Sequence, residues 1–178
     1  MKKYFGILVV SVLFACNSNS KQPENNVDST VAVKDTLETV SAISFKDIKV
    51  QEIYNSYIVL KDALVASNYA QTKEVSKVLE EQLKVYKGCE NTALIVKNIG
   101  NAKDIAAQRK DFTALNTDLI ALFKNVELTA GTIFVQHCPM ANKGDGGDWL
   151  SSVKKIQNPY YGDEMMECGS VVEEIKTK

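Results

Sequence analysis

Between residues 44 and 125 apolar side chains recur every three or four positions, and beyond residue 131 that period is lost. Ser44-Phe45-Lys46-Asp47 has the spacing of a capping box, and Val50, Ile53, Tyr54, Tyr57, Ile58, Leu64 and Val65 follow it at helical spacing. An amphipathic helix to about Ala66 is expected. A second is expected over Tyr69 to Tyr86, with Val75, Val78, Leu79, Leu83 and Tyr86 buried and Gly88 as its stop. A shorter third, Thr92 to Ile99, ends at Gly100-Asn101. The fourth, Ala102 to Asn125, carries Ile105, Phe112, Leu115, Leu119, Leu122 and Phe123 on one stripe, and its roughly 24 residues would span about 36 Å. Short connections make an antiparallel four-helix bundle the expected architecture of a mainly α fold. After Gly131 the chain turns β-branched and aromatic (Thr132-Ile133-Phe134-Val135), passes a glycine-rich turn at 143–148 and turns again at Asn158-Pro159. That C-terminal part reads as short β-strands and turns laid against the bundle.

The N-terminus has a different pattern. Met1-Lys2-Lys3 is followed by the apolar stretch Tyr4 to Ala15, which has the length of a signal peptide and stops at Cys16. Leu13-Phe14-Ala15-Cys16 resembles a bacterial lipobox, so residues 1–15 are expected to be removed and Cys16 to be the lipidation point. From residue 16 to 43 the composition is polar, with no aromatic residue after Cys16 and no sustained apolar period, as in a flexible tether. The folded domain is expected over 44–178, held by its lipid to a membrane of the cell envelope and facing the periplasm or the surface. Asn17-Ser18 contains no aspartate-type signal for inner-membrane retention.

Composition narrows the function. The 178 residues carry a net charge of −1, with no basic excess to hold nucleic acid, and no apolar run long enough to span a membrane occurs after the N-terminus. The chain contains one His, four Cys and four Met. Once Met1 and Cys16 are assigned to export, the three remaining methionines (Met140, Met165, Met166), the sole His137, and Cys138 and Cys168 all fall between positions 137 and 168. Only Cys89 stays with the helices.

Thiolate, thioether and imidazole are soft or borderline donors that favour Cu(I), or Ag(I) by similarity, over Mg²⁺ or Ca²⁺. On an extended segment Cys138 and Met140 project from the same side and His137 from the other, while Met165 and Cys168 are one turn apart. Cys138, Met140, Met165 and Cys168 therefore form the simplest candidate metal set, with His137 in second rank. The same two cysteines form a disulfide in an alternative reading, because the envelope is oxidising and the segment is rich in loops. The two states exclude each other, since a disulfide removes both thiolates.

Enzymatic constellations are lacking. A Cys–His hydrolase needs base and thiol together, yet neighbours in a strand diverge and there is no second histidine. The glycine-rich turn lacks the Gly-Lys-Ser/Thr ending of a phosphate loop. Asp145 and Asp148 read as hairpin-turn residues. Arg109, the only arginine, reads as a tie from the helices to a loop carboxylate or carbonyl. A non-enzymatic protein is expected.

The strings Val135-Gln136-His137-Cys138-Pro139-Met140-Ala141, Trp149-Leu150-Ser151 and Ile156-Gln157-Asn158-Pro159-Tyr160-Tyr161-Gly162-Asp163, then Met165, Cys168-Gly169 and Val172-Glu173, resemble the family catalogued as domain of unknown function 3347. Gln108-Arg109 with Phe112 and Leu115 resembles its helical part, and the likeness runs from about Ile53 to Ile175. The resemblance implies a bacterial envelope lipoprotein, related to a domain attached to periplasmic adaptor subunits of heavy-metal efflux pumps. It also implies a copper- or silver-handling role, with Cys138, Met140, Met165 and Cys168 at the motif positions and Met166 and Cys89 as departures. The function expected is a buffer or transfer module for a soft metal ion. The alternative is a structural or protein-interaction lipoprotein with a Cys138–Cys168 disulfide.

Overall fold

The computed structural model describes residues 42–178. The expected signal peptide, the lipidated Cys16 and nearly all of the tether lie outside the described residues. Within them the protein is mainly helical, with four helices of more than ten residues followed by short strands. No helix among the described residues is long and apolar enough to cross a membrane.

Ser44 and Phe45 do not cap the first helix. They form a short strand, β1, that pairs antiparallel with β2 (Leu128–Ala130), and Lys46 N–H donates to Glu127 O. The cap falls to Asp47, whose carboxylate accepts from Lys49 N–H at 2.8 Å and opens α1 (Ile48–Val65). A carboxylate at the N-cap satisfies one of the N–H groups that the helix end leaves without a partner. Ser67, in the left-handed region at φ 52°, turns the chain. Asn68 then caps α2 (Tyr69–Lys84) by accepting from Gln71 N–H.

α2 is rotated from the face expected of it. Leu79 and Leu83 are buried as expected, but Val78 is 54% exposed and the small residues Thr72 and Ser76 point inward. The cause is a close crossing with α3 (Glu90–Asn101): a Cβ on Gly100 would lie 3.1 Å from Ser76 Cβ. α3 ends at Asn101, where Gly100-Asn101 was expected to stop it, and Gly100 also serves as a packing residue in its last turn. α4 (Ile105–Asn125) is capped by Asp104, whose carboxylate accepts from Ala107 N–H at 2.8 Å. It buries Phe112, Leu115, Asn116, Leu119 and Phe123.

The last third forms a three-stranded antiparallel sheet in the order β4-β3-β5, with β3 (Thr132–Cys138) between β4 (Gly147–Ser151) and β5 (Ser170–Lys176). Pro139, with no N–H to donate, follows the last residue of β3. The aromatic rings of Phe45, Tyr54 and Phe123 meet with centroids 5.4 Å apart at one part of the core, and Trp149 and Tyr160 join the sheet to Phe112 of α4 at another.

Candidate functional site

β3 delivers Cys138 to the core, and the return of the chain before β5 delivers Cys168 beside it. Their Cα atoms are 5.7 Å apart across 30 residues of sequence, and the two sulfurs are joined as a disulfide. In this state neither sulfur is a thiolate. Of the set Cys138, Met140, Met165 and Cys168, only the two thioethers are then left as sulfur donors, and the set is complete only after reduction.

The methionines are placed differently from one another. Met140 does not extend β3: its backbone is helical at φ −85°, and its side chain is 53% exposed while Cys138 is fully buried. Alternation along a strand thus does not carry from Cys138 to Met140, because Pro139 ends the ladder. Met165 follows a short 3₁₀ turn (Gly162–Glu164), and Cys168 N–H donates to Met165 O at 3.1 Å, which closes a turn between them. Met165 and Met166 are both half-buried. Cys89 is buried at the start of α3 and carries a free thiol whose pKa is raised, chiefly by burial. Among the described residues no three His, Cys, Asp or Glu side chains converge as metal ligands.

The Asn-Pro-Tyr-Tyr-Gly string holds the stapled loop in place. Asn158 is fully buried; its amide donates to Cys168 O at 2.9 Å and its oxygen accepts from Tyr160 N–H at 2.8 Å, while its own N–H donates to Met166 O. Arg109 of α4 locks the same loop to the end of α1. Its Nε donates to Pro159 O at 2.8 Å, and its Nη2 donates to Leu64 O at 2.9 Å and Ser67 Oγ at 2.8 Å. Gly162, at φ 59°, sits so close that a Cβ would come within 2.7 Å of Arg109 Nη2. Arg109→Met removes three charge-assisted donors, and we expect it to lower unfolding free energy by about 2 kcal/mol. Urea denaturation would show a lower midpoint with an unchanged slope; an unshifted midpoint would mean that water replaces the guanidinium without loss.

Above this loop lies a buried polar chain that residue-by-residue reading missed. Tyr57 Oη donates to Asn116 Oδ1 at 2.6 Å and accepts from Leu150 N–H at 2.8 Å, while Asn116 Nδ2 donates to Tyr160 Oη at 3.2 Å and Tyr160 Oη donates to Asp148 O at 2.8 Å. Burial pushes the Tyr160 phenol up to about 12 and holds Tyr57 well above the usual phenol range, so both remain protonated donors. The signal in the sequence was an asparagine four residues after Phe112, on the buried stripe of α4.

His137 faces away from the sulfurs, as the neighbour of Cys138 on a strand must. It is paired in register with Asp148 of β4, and its Nδ1 lies 2.7 Å from Asp148 Oδ1. Gln136, the next residue back, spreads its amide over three carbonyls, those of Val153, Lys154 and Lys155. The structure therefore brings Cys138 and Cys168 together, sets Met165 in the turn beside them, and leaves Met140 and His137 in separate surroundings.

Residues 53–131 match the family model described as Protein of unknown function (DUF3347). That span runs from α1 to the end of β2 and stops before the His137-Cys138-Pro139-Met140 and Asn158-to-Gly162 strings. No curated protein and no solved structure matches the chain.

Proposed function

From the chain's membership, over residues 53–131, of the family of unknown function DUF3347, we propose that it is a non-catalytic binding module of the cell envelope. Lipid at Cys16 anchors it, and an antiparallel bundle of α1 to α4 carries its working segment. That segment takes one soft ion, Cu(I) or Ag(I), as a buffer or for transfer to an envelope partner such as a periplasmic adaptor of a heavy-metal efflux pump. The observation that carries the reading is the meeting of Cys138 and Cys168, with Met165 held in the turn that leads into Cys168. The disulfide is then the closed form. A dithiol reductant supplies two electrons and two protons, leaves as its own disulfide, and frees two thiols whose deprotonation on metal binding completes the donor set.

The full burial of Cys138 favours a second reading, in which the disulfide is only a staple and the domain docks a protein partner. One titration separates the two. Reduced protein is titrated with Cu(I) against a competing chelator, beside the oxidised protein and a Cys138→Ser, Cys168→Ser double variant. Metal handling predicts tight binding in the reduced form and a loss of at least about 100-fold in the other two, which corresponds to roughly 2.8 kcal/mol. Equal affinities in all three would leave the staple reading standing. Replacing Met165 by Leu is expected to weaken Cu(I) by about tenfold with little effect on folding, because the two side chains are close in volume.

A further inference from the structure

We propose that the cavity between α4 and the β3–β4 turn is a second binding site, separate from the sulfur set, that takes a late first-row divalent cation through the imidazole of His137. The cavity measures about 120 Å³ and is lined by His137, Asp145, Asp148, Thr113, Asn116 and Thr117, with Gly146 and Gly147 at the turn. Organic ligands occupy sites of roughly 300–1,000 Å³, whereas a water takes about 30 Å³. The space suits an ion with a few waters. Its lining is acidic and carries an imidazole, a combination that suits Zn²⁺, Cu²⁺ or Ni²⁺ better than a hard cation or an anion.

The histidine is arranged as a ligand. A carboxylate only accepts, so the 2.7 Å contact from Nδ1 to Asp148 Oδ1 calls for an N–H at Nδ1, and in the neutral ring that tautomer puts the lone pair on Nε2. Gly146 keeps that edge of the ring open. Any Cβ there would lie 2.7 Å from His137 Cε1 and 3.2 Å from Nε2, and its φ of 82° also favours glycine.

The turn is held in costly backbone to achieve this. Asn142 and Lys143 both have positive φ, at 54° and 65°, followed by Gly144 at 100°. Asn142 clamps the turn by donating to Thr113 Oγ1 of α4 at 2.9 Å and to Gly146 O at 2.8 Å. Stability alone explains this poorly, because the His137 and Asp148 side chains are 35% and 50% exposed and a pair so solvated contributes little to folding. With no three acidic, histidine or cysteine ligands converging among the described residues, the ion is held by the imidazole, a carboxylate and water, and exchanges readily.

His137 is the only histidine in the chain, so its nitrogens report without ambiguity. The test is a Zn²⁺ titration of the ¹⁵N-labelled full chain, disulfide intact, followed by long-range ¹H–¹⁵N spectra of the imidazole. A saturable shift at Nε2, with Nδ1 still protonated, is the expected result. Asp148→Asn should weaken the ion by about 10–100-fold, and Cys138→Ser, Cys168→Ser should leave the response at Nε2 in place. An Nε2 resonance unmoved at millimolar Zn²⁺, or an equal affinity in Asp148→Asn, overturns the proposal. Because the probe is Zn²⁺ and the readout is the ring, the outcome does not depend on whether the sulfurs take Cu(I).

Discussion

Replacing both cysteines of the Cys138–Cys168 pair by serine should lower the unfolding free energy by roughly 3.5 kcal/mol. The figure comes from the entropy of closing a loop of about 30 residues in the unfolded chain. For a domain of this size it corresponds to a fall in melting temperature of about 12 °C. Dithiol reduction of the native protein should give the same shift, because it opens the same loop. Differential scanning calorimetry of the oxidised, reduced and double-serine proteins tests this. If all three melt within about 2 °C of one another, the C-terminal segment is held by Asn158, Arg109 and the core alone, and the cysteines are free for another use. Agreement between the reduced and serine forms also matters for function, since it shows that the reduced protein is still folded when metal is offered.

That result would bear on an ambiguity the sequence leaves open. Two thiols 30 residues apart in a loop-rich segment are compatible with a staple or with ligands, and spacing alone cannot choose. The choice depends on how the chain returns after Pro159, which is set by Arg109, Gly162 and the end of α1, all distant in sequence. The helices were legible for the opposite reason, since their period is local, and all four occur where the apolar stripes recur.

Errors arose wherever a distant neighbour intervened. Ser44-Phe45 has capping-box spacing but pairs with Leu128–Ala130, and Val78 matches the stripe of α2 yet points outward because Ser76 crosses Gly100. His137 and Asp148 were each readable singly. Their contact depends on strand register around the β3–β4 turn, which periodicity does not encode.

The same lesson applies most strongly at Tyr57, which the apolar stripe of α1 counts as an ordinary core residue. Its hydroxyl links α1 to the Leu150 amide of β4, and it also supplies the donor for Asn116 Oδ1. Tyr57→Phe keeps the ring against Phe112 but leaves a buried N–H and a buried carbonyl oxygen without partners. At about 1–3 kcal/mol for each orphaned group, a loss of about 3 kcal/mol is expected. Asn116→Leu, similar in size and unable to accept, should cost about 2 kcal/mol. The two losses should not add: their shared hydrogen bond disappears only once, so the double variant should be about 1 kcal/mol more stable than the sum predicts. Hydrogen exchange provides a sharper readout. Tyr57→Phe should speed exchange of the Leu150 amide beyond what its global destabilisation explains, whereas Asn116→Leu should not, because Tyr57 Oη still accepts from that amide. Additivity within about 0.3 kcal/mol together with an unchanged Leu150 amide would mean that the ring alone, and not its hydroxyl, joins the helices to the sheet that carries the candidate site.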